Sequence, residues 1–189
     1  MFKRSLLTLL VSLFVSQFSN AAQLGFSLGT ADGDGDVSVP GFANSDIDVS
    51  ITQASFVLNA CEICSVFNYR LNVGYMVGDV DYGFSTSDDI IGLNVSNTFG
   101  FKLVNRNNFK LWLGASIFSS LIVVDGDVSD QDGSLMYGIG PTVGMDFGVG
   151  NDSAIGIELS LRDLHAEIDG DIIEDYDFDD LLIQVSFMF

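Results

Sequence analysis

Positive charge is what this chain has least of. Its 189 residues carry 26 acidic side chains against seven lysines and arginines, and such a surface repels nucleic acid and other polyanions. Histidine occurs once, as His165, so chemistry that needs several imidazoles is ruled out. The two cysteines, Cys61 and Cys64, are too few for a disulfide framework, and without a companion pair or a nearby histidine they make a poor zinc site. Proline occurs twice, which leaves extended segments almost uninterrupted. After Val15 there is no apolar run approaching the roughly 20 residues of a membrane-crossing helix, although 48% of the chain is hydrophobic and its mean hydropathy is positive.

So much apolar surface without a long apolar run must be distributed by alternation. Period two recurs down the sequence, in segments of about the 9 to 11 residues that tilted membrane strands need. Phe67, Tyr69, Leu71, Val73, Tyr75 and Val77 share one face opposite Asn68, Arg70, Asn72 and Gly74. The segments 91–103, 109–123, 135–147 and 155–162 repeat the arrangement, and Leu24, Phe26 and Leu28 mark a shorter first strand. Between them and the first of these segments, Ile47, Val49 and Ile51 are followed out of phase by Phe56 and Leu58, which predicts a β-bulge near Thr52 to Ala54. A second local bulge is expected at Pro141, which removes a ladder donor. In lipid no unpaired backbone amide finds a partner, so a membrane protein built of strands must close into a barrel. The count is eight, all-β and antiparallel, running up and down.

The two ends agree with that address. Met1 to Arg4 carries two cations, Leu6 to Val15 is a short apolar run, and Ser19-Asn20-Ala21 offers small residues for cleavage, so residues 1–21 read as a cleaved signal peptide and 22–189 as the barrel domain. The mature part then holds five cations and all 26 carboxylates, a formal charge of −21. Of those carboxylates, 22 fall within Asp32 to Asp48, Asp79 to Asp89, Asp125 to Asp132 or Asp163 to Asp180, and the connections Thr30 to Asp46, Asp79 to Asp89, Asp125 to Gly133 and roughly Asp163 to Asp180 are expected to be long acidic extracellular loops opposite short periplasmic turns. Phe67, Phe101, Phe109, Phe147, Phe187 and Phe189 collect at the opposite strand ends as an aromatic girdle.

At the C-terminus, LLIQVSFMF sets Leu181, Ile183, Val185, Phe187 and Phe189 on one face. With this strand the chain resembles the small eight-stranded outer-membrane barrels of the OmpX, OmpW and OmpA membrane-domain type, over essentially its whole mature length. The resemblance implies residence in the outer membrane of a Gram-negative bacterium as a monomer, among lipid and lipopolysaccharide. It also implies an assembly signal at Phe187 and Phe189, read by the barrel-assembly machinery after delivery by periplasmic chaperones.

The candidate sites are few. An eight-stranded barrel is just wide enough for side chains to fill, so the inward-phase Arg70, Lys102, Glu158 and Arg162 are expected to pair within the lumen. The alternative is a narrow conduit for small molecules, obstructed by the inward Trp112 and Phe118. Cys61 and Cys64 in a periplasmic turn predict a local disulfide. Asp32, Asp34 and Asp36 alternate as calcium ligands do, but Val37 and Ala43 stand where an EF-hand needs glycine and glutamate. A looser bridging of acidic segments to lipopolysaccharide through divalent cations such as calcium is the alternative. No other cofactor is expected. A lipid A-modifying enzyme would have to use His165 with Asp163 or Glu167, and no His-x-Ser motif is present. The sequence therefore favours a non-enzymatic barrel that serves envelope integrity or surface interaction.

Overall fold

A computed structural model describes residues 22–38, 44–60, 66–82, 87–126, 132–150, 153–169 and 173–189. The signal segment 1–21 and the Cys61 and Cys64 pair lie outside the described residues. Eight strands follow one another: β1 (Gln23–Ser38), β2 (Ser45–Ala60), β3 (Phe67–Asp81), β4 (Ser87–Arg106), β5 (Phe109–Gly126), β6 (Asp132–Gly148), β7 (Ala154–Asp169) and β8 (Ile173–Met188). Each is antiparallel to its neighbours, and β8 pairs with β1 to close the ring.

The pairing fixes the shape. From Ile155 on β7 the register leads through Phe187, Phe26, Phe56, Val73, Val95, Ser119 and Tyr137 to His165, ten residues further along the same strand. A shear of ten on eight strands, with a rise of about 3.3 Å per residue and a strand spacing of about 4.8 Å, tilts the strands by about 40°.

Strand alternation does what the sequence suggests through the lower part of the wall. Leu24, Phe26, Leu28, Phe56, Tyr75, Leu93, Leu113, Ile139, Leu161 and Val185 all point outward and are exposed, as a lipid-facing belt requires. Ring pairs Phe67–Phe101 and Phe109–Phe147, with centroids 5.2 and 5.4 Å apart, belong to its lower girdle.

Three expectations are corrected. Where they are described, the acidic segments expected to be loops are mostly strand, since β1 and β2 carry the ladder up to the pair Val37↔Ser45 and β7 and β8 up to Asp169↔Ile173. There is no bulge in β2, whose register runs unbroken from Ala60 to Ser45. Ile47, Val49 and Ile51 simply face the interior, where they are buried, while Phe56 faces out. Nor does Pro141 shift the register; pairing of β6 with β7 lapses between Ile139↔Asp163 and Thr142↔Ser160 and resumes in phase. The irregularity sits instead in β4, between Lys102 and Val104.

The β2 result reflects a rule that holds on several strands. In the membrane part apolar residues point out and polar ones in; above it the faces exchange. Asp175, Asp177 and Asp179 on β8 continue the outward face of Leu181 and Ile183, whereas Tyr176 and Phe178 lie inside above Asp180 and Gln184. Lipid and water are thus each met by the face that suits them.

Candidate functional site

The interior is layered along the barrel axis. At the lower end, by the aromatic girdle, Val57, Ala154 and Met188 form a small apolar cluster. Beside it Arg70, from β3, places Nη2 2.7 Å from Asp146 Oδ1 and Nη1 3.3 Å from Glu158 Oε2, across the lumen on β6 and β7. The guanidinium also lies 5.2 Å from the centre of the Trp112 ring. That indole is wholly buried and occupies a slot left by glycines, since a Cβ on Gly144 would overlap it and one on Gly100 would come within 2.9 Å.

A chain of hydroxyls follows. Thr98 donates to Glu158 over 3.2 Å, and Thr98, Ser116, Thr142 and Ser160 are linked in sequence at 2.8, 2.7 and 2.6 Å around β4 to β7. Amides fill the other side: Asn72 donates to Ser96, Asn94 to Gln53, and Gln184 to Ser27. Higher still, Arg162 grips Asp180 with two hydrogen bonds, one of them from Nε at 2.7 Å, and stacks 4.6 Å over Phe118. Buried charges are tolerable only when paired in this way.

Above Arg162 the lumen becomes apolar. Ile47, Val49, Ile51, Met76, Val80, Ile90, Ile122, Val124, Met136, Leu164, Phe178 and their neighbours pack into one core. The cavity left among Val80, Ile122, Met136 and Phe178 measures about 10 Å³, at the limit of what one water needs. At the top Tyr82 bonds Tyr176 (2.7 Å) and Asp88 (3.2 Å). Trp112 and Phe118 therefore obstruct the lumen, as their phase suggests, and the apolar core closes it further.

Three of the four lumen charges read from the sequence fall into two ion-paired groups. Arg70 and Glu158 meet with Asp146 as their third member, and Arg162 pairs with Asp180. Lys102 stands lower, half-buried opposite Trp112. Asp146 and Asp180 were both legible as inward in phase; what alternation cannot supply is which inward residues share a height.

The outer wall above the belt is acidic in a more organised way than a set of loops. Asp163, Asp179, Asp34, Asp48 and Asp81 are successive cross-strand partners on β7, β8, β1, β2 and β3. Asp79, Asp89 and Asp125 form a second row, and His165, Asp177, Asp36 and Asp46 a third. Asp32, Asp34 and Asp36 accordingly project from a strand and not from an ion-wrapping loop. Among the described residues there is no group of three His, Cys, Asp or Glu placed to hold a metal ion. His165 Nδ1 lies 2.6 Å from Asp177 Oδ1, and its ring centre 5.2 Å from that of Tyr137, so it belongs to this collar.

A closed ring of eight antiparallel strands at a shear of ten, belted by lipid-facing apolar side chains, decides the architecture. The fold is that of the small eight-stranded outer-membrane barrels. The outer membrane protein OprG from Pseudomonas aeruginosa superposes with a TM-score of 0.57 at 14% identity, covering 92% of this chain and 98% of that one. Neisserial surface protein A (NspA) gives 0.45 at 15% identity, over 86% and 95% of the two chains. Ail, the attachment invasion locus protein of Yersinia pestis, gives 0.42 at 10%, over 89% and 99%. No family model and no curated protein matches the chain in sequence. The likeness is one of fold.

Proposed function

We propose that this chain is a non-enzymatic outer-membrane barrel of a Gram-negative bacterium, which contributes to envelope cohesion by presenting an acidic collar to the lipopolysaccharide around it. The observation that carries this reading is the row Asp163, Asp179, Asp34, Asp48 and Asp81, five carboxylates in direct cross-strand register. Like charges opposite one another destabilise a sheet, so such a row is tenable where mobile divalent cations such as calcium or magnesium gather and bridge it to the anionic head groups outside. Binding of this kind is diffuse and needs no wrapped coordination site. The packed lumen supports a structural role over a conduit, and His165, engaged with Asp177 on the outer wall, supports it over lipid A modification.

The barrel-assembly machinery and periplasmic chaperones are the proposed partners during biogenesis, with Phe187 and Phe189 as the signal they read; the mature protein is a monomer. Reconstitution in lipopolysaccharide-containing vesicles tests the role. Millimolar calcium or magnesium is expected to raise the unfolding temperature, and the gain to shrink when Asp34, Asp48 and Asp179 are changed to asparagine. A gain unchanged by those substitutions, or discrete single-channel openings in a planar bilayer, would count against the proposal.

A further inference from the structure

The lipid-facing belt is uneven in height. Each circuit of the pairing rows climbs ten residues over eight strands, so one strand-to-strand step climbs about one and a quarter residues, or about 3 Å along the axis at this tilt. On that scale the lower edge is level: Leu24, Phe67, Phe101, Phe147 and Phe189 fall within about two residues of one height. The upper edge slopes. On β7, β8, β1 and β2 the last outward apolar residues are Leu161, Leu181, Leu28 and Ala54, whereas on β3 to β6 they are Val77, Ile91, Val123 and Leu135.

Leu93 makes the comparison direct. It shares a pairing row with Tyr75, Ala54, Leu28, Val185 and Ile157, and five steps of climb lift it about six residues above Ile157, level with Asp163. Leu121 and Leu135 continue the row and stand higher still. At the height where one side of the barrel shows leucine, the other shows Asp32, Asp163 and Asp179, all exposed. The belt spans roughly 28 Å on the tall side and roughly 18 Å on the short one, against about 25 Å in barrels of this kind.

We propose that the barrel thins the outer leaflet locally along β7, β8, β1 and β2, so that lipid head groups dip to meet Asp32, Asp163 and Asp179 while full-length hydrocarbon covers β3 to β6. Simple tilting of the barrel would level the upper edge only by lifting the aromatic lower edge out of line. The partner of the short face is outer-leaflet lipid, and the seam between β8 and β1 lies in the middle of that face.

Reporters of depth test the inference in the whole protein. With Cys61 and Cys64 replaced by serine, a bimane probe is attached in turn at Asp163→Cys, Leu93→Cys, Ile155→Cys and Phe101→Cys, in dioleoyl-phosphatidylcholine vesicles. Asp32 and Asp179 are retained throughout. A nitroxide on the lipid acyl chain is expected to quench the Leu93 probe several-fold more than the Asp163 probe, which aqueous iodide reaches instead; the two lower probes, near one height, should be quenched alike. Equal acyl-chain quenching at Asp163 and Leu93 would overturn the proposal. Unequal quenching of the lower pair would replace thinning by tilt, and shielding of the Asp163 probe from both quenchers would assign the short face to a second copy.

Discussion

Arg70 is the residue on which the lower lumen depends. It answers two buried carboxylates, Asp146 and Glu158, and all three are nearly inaccessible to solvent. Removing one partner of a buried ion cluster strands the others, at a cost of about 3–5 kcal/mol. Arg70→Ala should therefore lower the unfolding free energy by about that amount in urea titrations, whereas joint replacement of Arg70, Asp146 and Glu158 by apolar residues of similar volume should cost much less. Comparable losses in both variants would mean that the cluster matters for its packing alone. Asn97 poses the opposite problem, a polar amide on the lipid-facing side of β4. Tyr69 resolves it by donating its hydroxyl to the amide oxygen at 2.8 Å. Tyr69→Phe leaves that oxygen to hydrocarbon and should cost at least about 1 kcal/mol in the same titration.

Among the elements, β3 to β6 were the easiest to read in sequence because their outward faces stay apolar over long stretches. The strand β1 was hardest. Its upper part, Thr30 to Val37, is rich in Asp and Gly, which strands disfavour, so in sequence it resembles a loop, and only its pairing with β2 and β8 makes it a strand. The upper part of β2 is ambiguous for a related reason: Ile47, Val49 and Ile51 carry the apolar phase of a soluble core, opposite to that of Phe56, which in sequence looks like a bulge. Alternation gives the face of a residue but not the solvent that face meets. The interior assignment makes a prediction at this scale. Val49→Asp buries a charge in the upper core and should abolish folding or shift the melting temperature steeply, while Ser50→Asn, one residue away on the outer side and uncharged against its row partners Asp32 and Asp79, should be nearly silent. Just past β8, Phe189 matters through its backbone as well as its ring, since Leu24 and Phe189 exchange hydrogen bonds of 3.1 and 2.7 Å. Deleting Phe189 should reduce the membrane yield more than changing Asp34 and Asp36 to asparagine does, and equal yields would contradict that ordering.

The described residues form a closed ladder with a filled interior, which should resist opening by detergent alone. Unheated samples should migrate differently from boiled ones in detergent gels, and a single temperature-independent band would argue against closure. Of the candidate site, the pairing of Arg70 with Glu158 was foreseeable in kind, whereas Asp146 and Asp180 as partners, and the apolar upper lumen, required the shear that sets residues of different strands at one height. The exchange of faces between the lower and upper wall has a consequence for the fidelity of folding. A strand that slips by one residue turns its belt residues toward the polar lumen and, on the same strand, its core residues toward water. Lipid rejects the error at one end and water at the other. Two unlike solvents thus proofread one register, and a misaligned strand finds no half of its length in which to hide.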